Sequence, residues 1–209
     1  MEIYQTEEQQ VEAIKNFWSE NGNSLIAGLV IGLAGFVGFD YYQEHQLAQQ
    51  QQTADTYIAN MDLAEKKPEE FTKQAQAFIN ENKDSSYASL TALAMAKNVL
   101  SHQDYQQAAK YIQTAIDKAP NEGIKAIATL RLAQLQTQLA QYDVALSNLA
   151  KPMPKSFIAS IEEAKGDIYV LQGKNDLART AYQTAIDNDG LKASSSLQMK
   201  IDDLAIALD

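Results

Sequence analysis

The chain has 209 residues, 45% hydrophobic and 8% aromatic, enough for one domain of ordinary size with an appendage. Net charge is −10, with one Lys against six carboxylates up to Asp40 and 16 Lys/Arg against 21 carboxylates beyond it. No stretch is basic, which argues against a phosphate-neutralising surface and so against nucleic acid as a partner. The absence of cysteine removes disulfide frameworks, thiolate metal sites, Cys nucleophiles and Cys-linked lipid anchors.

In chain order, the first element is a short acidic amphipathic tail, residues 1–23. A run free of charge until Asp40 follows, "NSLIAGLVIGLAGFVGFDYY", and five of the nine glycines lie between Gly22 and Gly38. The apolar stretch 25–39 is shorter than the ~18–20 residues of a spanning helix, but its flanks extend it. Phe17 and Trp18 on one side and Tyr41 and Tyr42 on the other suit interfacial anchors. From Trp18 to Tyr41 a helix rises about 35 Å at ~1.5 Å per residue, enough for a hydrocarbon core of about 30 Å. A cleaved signal peptide fits badly, because the preceding segment is acidic and "FDYYQEH" offers no small-x-small site. A buried core helix is the bland alternative; one uncleaved span over 24–42 is the expectation. Lys15 is the one Lys or Arg before Lys66, so the positive-inside rule favours a cytoplasmic N-terminus. The remainder, 43–209, would then lie in the periplasm of a Gram-negative cell. Gly28, Gly32 and Gly35 share one helical face and form a candidate intramembrane contact, set against the general frequency of glycine in membrane helices.

Past the span, proline is sparse and apolar residues recur at helical spacing, so the domain reads as all-α. "QLAQQQQTAD", residues 46–55, reads as a continuation of the membrane helix rather than a low-complexity spacer. An internal period then appears. In residues 165–187, Gly166, Tyr169, Gly173, Ala178, Tyr182 and Ala185 follow the small, aromatic, turn-glycine, small, aromatic, small order of a tetratricopeptide repeat. Lys165 and Glu162 depart from it, standing where large apolar residues are usual, and Gly190 takes the place of the closing proline. Upstream, the same frame holds Ala96, Val99, Tyr105, Ala108, Ile112, Ala115 and Pro120, then Leu132, Ala133, Ala140, Tyr142, Ala145 and Leu149. The spacings Ala108–Ala145 and Ala145–Ala178 bracket the ~34-residue period. A degenerate fourth unit is expected from helices near 47–63 and 71–79. Asp104 with Gln107 resembles a capping box. Leu197, Ile201, Leu204 and Leu208 form a stripe suited to a terminal helix that covers the last repeat. The fold expected is therefore one transmembrane helix and an α-solenoid of three to four helix pairs with a C-terminal capping helix. Gly166, Tyr169, Ala108, Ala145 and Ala178 are its expected packing positions.

Chemistry has little to stand on. His45 and His102 read as solvated, and Glu162-Glu163 and Asp202-Asp203 read as exposed helix faces, since neighbours on a helix diverge. No phosphate loop, metal spacing or nucleophile elbow is present, so no catalytic residue and no cofactor is expected. A repeat superhelix offers a concave face lined by the first helix of each pair. Tyr87, Leu90, Leu93 and Arg131 are candidates for it, with the Leu positions equally readable as core.

Three features together resemble the YfgM family: the start "MEIY…EEQQVEAIKNFWSENG", one glycine-rich span, and a repeat domain that ends in "LQMKIDDLAI". Residues 124–146, "IKAIATLRLAQLQTQLAQYDVAL", carry the most specific part, and the similarity runs over essentially the whole chain. Asp40 departs from it, where a basic residue would be expected after the span. The resemblance implies an inner-membrane, non-enzymatic, protein-binding subunit ancillary to the SecYEG translocon. It also implies work beside a PpiD-like periplasmic chaperone in handling exported periplasmic and outer-membrane proteins. Two other readings stand beside it. One is a membrane-tethered regulator whose cytoplasmic tail holds a response regulator; the other is a tethered hydrolase, which would need a clustered titratable site.

Overall fold

The computed structural model describes residues 7–83 and 85–206, and every regular element in them is helical. The expected contributions of Leu208 and of residues 1–6 lie outside the described residues. The described chain separates into two compact units that meet between Gln52 and Thr53.

The first unit is a single helix, the greater part of α1 (Glu7–Lys66). Five glycines in such a stretch would each cost about 1 kcal/mol against alanine in water. In hydrocarbon the balance reverses, because each unpaired backbone group costs several kcal/mol and only the helix pairs them all. Its large apolar side chains stand open: Leu29, Ile31, Phe36 and Val37 are all exposed. Among the described residues α1 alone is long and apolar enough to cross a membrane. This exposure is the opposite of what a buried core helix requires. Residues 46–55 lie inside α1 as continuous helix, with no intervening spacer.

The second unit begins in the last turns of α1, which add Met61, Leu63 and Ala64 to the first core. Beyond Lys67 runs α2 (Pro68–Glu81), opened by a proline at its first position, where no N–H is needed, and by Glu69 and Glu70 at its positive end. It buries Phe71, Ala75, Phe78 and Ile79, one face at spacings of four, three and one. Three antiparallel pairs follow: α3 (Ser86–Leu100) with α4 (Tyr105–Asp117), α5 (Glu122–Gln138) with α6 (Tyr142–Leu149), and α7 (Ile158–Leu171) with α8 (Asn175–Asp187). Side-chain caps open three of these helices. Ser85 Oγ accepts from Tyr87 N at 3.2 Å, Asp104 Oδ1 from Gln107 N at 3.0 Å, and Asn121 Oδ1 from Ile124 N at 3.0 Å. Each such cap is worth about 1 kcal/mol.

The turns within the pairs are one turn used three times. Gln103, Ala140 and Gly173 all have positive φ, at 61°, 57° and 71°. In each, the following residue donates to a carbonyl five back: Asp104 N to Val99 O, Gln141 N to Gln136 O, and Lys174 N to Tyr169 O. This left-handed closure satisfies carbonyls that a helix end leaves open. Only the third turn uses the glycine that such a φ favours.

Small residues let the paired helices close. Ala108, Ala145 and Ala178 are each fully buried. Gly166 on α7 faces Tyr182 on α8 so closely that a Cβ there would lie 2.2 Å from the ring. In the upstream units the same two positions hold Ala133 with Leu149 and Ala96 with Ile112, each couple within one apolar cluster. The smaller the first residue, the larger its partner. Three such clusters succeed one another along the chain, centred on α3–α4, α5–α6 and α8 with its cover.

That cover is more than one helix. A four-residue α9 (Gly190–Ala193) comes before the terminal helix expected from the stripe, α10 (Leu197–Ile206). Gly190 has a packing reason: a Cβ there would meet Ala185 O at 2.5 Å and Leu197 Cδ2 at 2.7 Å. Leu197 and Leu204 are buried against α8 with Ile201 beside them.

Candidate functional site

The first helices of successive pairs are neighbours, α3 with α5 and α5 with α7, and in a superhelix such helices line the concave face. Between α5 and α7 that face opens into a groove of about 500 Å³. Leu130, Ala133, Leu149, Ala164 and Ile168 form apolar lining, and Gln134, Thr137, Gln138 and Ser160 bring hydrogen-bonding groups. Glu163, Asp167 and Lys200 complete the lining.

These three charges form a network that ties α10 to α7. Lys200 Nζ donates to Glu163 Oε1 at 2.8 Å and to Asp167 Oδ2 at 2.9 Å. Ser194 Oγ donates to Glu163 Oε1 at 2.8 Å, and Tyr182 OH donates to Asp167 Oδ1 at 2.7 Å. Lys200 Nζ also stands 5.8 Å from the centroid of the Tyr182 ring, inside cation–π range. Burial works against the Lys200 charge, but hydrogen bonds and charges from Asp167 and Glu163 outweigh it and hold the pKa above the ordinary 10.5. Burial pushes the Tyr182 hydroxyl well above 10, and the Asp167 acceptor and the Glu163 charge add to the shift.

The sequence-predicted residues fall in separate places. Gly28, Gly32 and Gly35 lie on the exposed surface of α1, where an added Cβ would meet nothing within 4 Å. Ala108, Ala145, Ala178 and Gly166 are buried at helix contacts, and Tyr169 is half-buried beside the α8 cluster. Of the concave-face candidates, Arg131 is exposed. Leu93 is buried and Leu90 packs on the first core, while Tyr87 stacks on Tyr57 with ring centroids 4.9 Å apart. The two Leu residues are core. His45 and His102 are exposed, as are Asp202 and Asp203.

Glu162-Glu163 needs correction. A step of ~100° along the helix separates them. Both side chains are half-enclosed, at 21% and 18% exposed: Glu162 pairs with Lys165 at 2.7 Å, whereas Glu163 turns toward α10 and Lys200. Glu163, Asp167, Ser194 and Lys200 are the residues that sequence reasoning missed. One signal was available: Lys200 lies three residues after Leu197 and four before Leu204, a lone cation on the apolar stripe of α10. Among the described residues no group of three or more His, Asp or Glu is placed to hold a metal ion.

A helix exposed along its apolar length, followed by stacked helix pairs, defines a membrane-anchored tetratricopeptide-like protein. The family profile described as "Tetratricopeptide repeat-like domain" matches residues 15–206. Relatives named "Ancillary SecYEG translocon subunit" match nearly end to end. The Escherichia coli K12 protein is 33% identical over 99% of this chain and 100% of its own length. Those of Aggregatibacter actinomycetemcomitans and Haemophilus influenzae are 30% and 29% identical, each over 95% of this chain and 97% of theirs. The chain belongs to the YfgM family. It is a single-pass inner-membrane protein whose role is binding rather than catalysis. Among solved structures, one titled "MamA RS-1 ArsTM double mutant" is similar at a TM-score of 0.50 and 17% identity. That match covers 74% of this chain and 97% of the other, a likeness of fold.

Proposed function

We propose that this protein is an ancillary subunit of the SecYEG translocon that holds a polypeptide-binding repeat domain beside the exit site. The observation that carries the reading is the near end-to-end similarity to proteins of that name. In this reading residues 1–23 are a cytoplasmic tail, 24–42 the span and 43–209 a periplasmic domain, with Lys15 supporting that orientation through the positive-inside rule. The face of Gly28, Gly32 and Gly35 lets a translocon helix approach closely, and dispersion contacts then hold the two together. Tethering raises the effective concentration of the repeat domain where exported chains emerge, so weak contacts with each chain suffice. A PpiD-like periplasmic chaperone works beside it on periplasmic and outer-membrane proteins.

Site-specific photo-crosslinkers along α1 and along the α5–α7 groove test this in cells. The expected result is adducts to translocon subunits from the span and to exported polypeptides from the groove. Crosslinks from both sets to cytosolic proteins alone would overturn it.

A further inference from the structure

We infer that the carboxylate pair Glu163 and Asp167, with the Tyr182 ring, is a subsite for a cationic side chain of an extended polypeptide lying in the α5–α7 groove. In this structure Lys200 of α10 occupies that subsite. The inference rests on the reading of the concave face as the surface that meets exported polypeptide.

Three observations converge. The subsite has the composition that recognises an ammonium: two carboxylates and an aromatic face. It already holds an ammonium, at hydrogen-bonding distance from both acids, so the geometry suits that group. It also lies in the wall of an open groove rather than in a sealed core, and Lys200 is itself part of that wall. The remainder of the groove suits a backbone. Gln134, Thr137, Gln138 and Ser160 can pair amides and carbonyls, while Leu130 and Ala164 offer apolar contacts. An entering Lys or Arg side chain exchanges with Lys200, so the carboxylates have a cationic partner before and after. Lys200 is then a competitor in cis, tethered by α10, and selects against segments that lack a cation.

The test uses the full chain in detergent micelles and two labelled, end-blocked peptides of Ala, Gln and Ser. One carries a single central Lys and the other norleucine at that place; binding is read by fluorescence anisotropy. Lys200→Met keeps the apolar stem and removes the competitor. It should raise affinity for the Lys peptide about tenfold, the scale of one charge-assisted hydrogen bond, and leave the norleucine peptide unchanged. Glu163→Gln, with Lys200 retained, should weaken only the Lys peptide, and this variant decides the matter if Lys200→Met fails to fold. Equal affinity for both peptides in every folded variant would mean that the network is a latch for α10 and would overturn the inference. Polypeptide binding in the groove, and the functional reading, would survive that result. Binding of neither peptide would also overturn the inference, and the crosslinks of the preceding section would then judge the functional reading separately.

Discussion

Gly166→Ala adds one methyl group at the crossing of α7 and α8, and the structure says what that methyl meets. Its carbon would lie 2.2, 2.4 and 2.9 Å from Tyr182 Cε1, Cδ1 and Cζ. Ordinary carbon contacts are about 3.5–4.0 Å, so ring and methyl must separate by roughly 1.3 Å or more. The ring is 2% exposed and its hydroxyl is fixed on Asp167 at 2.7 Å, so it has little room to turn away. Overpacking of this kind costs about 1–3 kcal/mol. Loss of the hydrogen bond to a charged acceptor adds about 1.5–3 kcal/mol if the ring yields. Against this, alanine in a helix interior gains about 1 kcal/mol over glycine. The balance is a destabilisation of about 2 kcal/mol, or roughly 4–8 °C in Tm for a domain of this size. Thermal melting followed by circular dichroism in one detergent reads it. Gly166→Ala combined with Tyr182→Leu recreates the Ala133–Leu149 couple of the preceding unit and should recover part of the loss. A single variant that melts at or above the parent would refute the close-crossing argument.

Ala140 has φ 57° at the α5–α6 turn, a conformation that costs an L-residue about 1 kcal/mol, so Ala140→Gly should raise Tm by a few degrees. Gly173→Ala in the matching turn should lower Tm by a similar amount in the same melt. Lys200 and Tyr182 both have raised pKa values, so the stability each contributes is complete below its ordinary range near 10 and is lost as pH rises through the folded value. Urea unfolding should therefore show stability falling above pH 10, and Tyr182→Phe should flatten that fall; identical slopes would remove Tyr182 from the account. Gly32→Leu should leave insertion intact, since leucine favours hydrocarbon by a few tenths of a kcal/mol, yet reduce co-purification of the translocon by forcing helix axes apart. Leu29→Ala, about 100° around the helix from Gly28, should matter less; equal recovery of both variants would shift recruitment to the repeat domain. A phosphatase that is active only after export should be active when fused after Asp209, and activity only from fusions before Asn23 would invert the topology.

The architecture was legible where local rules govern it. The glycine-rich span needs only its own composition. The repeat frame follows from Ala108, Ala145 and Ala178, because a position that must be small at a helix crossing constrains residue type from one unit to the next. The turn chemistry was half legible: Gly173 announces its left-handed φ, while Gln103 and Ala140 adopt the same φ without a residue that advertises it. The charged network was not legible by adjacency. Glu163 and Lys200 are 37 residues apart and meet because α9 and α10 fold back over α8. Paired neighbours such as Glu162 and Glu163 look alike in sequence and are both half-enclosed, and only the packing of α10 tells which of them meets Lys200.

The succession of three small cores has a consequence for how the domain comes into being. Each cluster is closed by residues near one another in the chain: the first largely by 71–135, the second by 130–168, the third by 169–204. Loops between such contacts are short, so each closes at small entropic cost and quickly. A polypeptide that emerges from its N-terminal end can therefore bury one core before the next has appeared. It never exposes the full apolar surface of the finished domain at once, and a chain delivered slowly through a narrow exit needs little protection from its neighbours while it assembles.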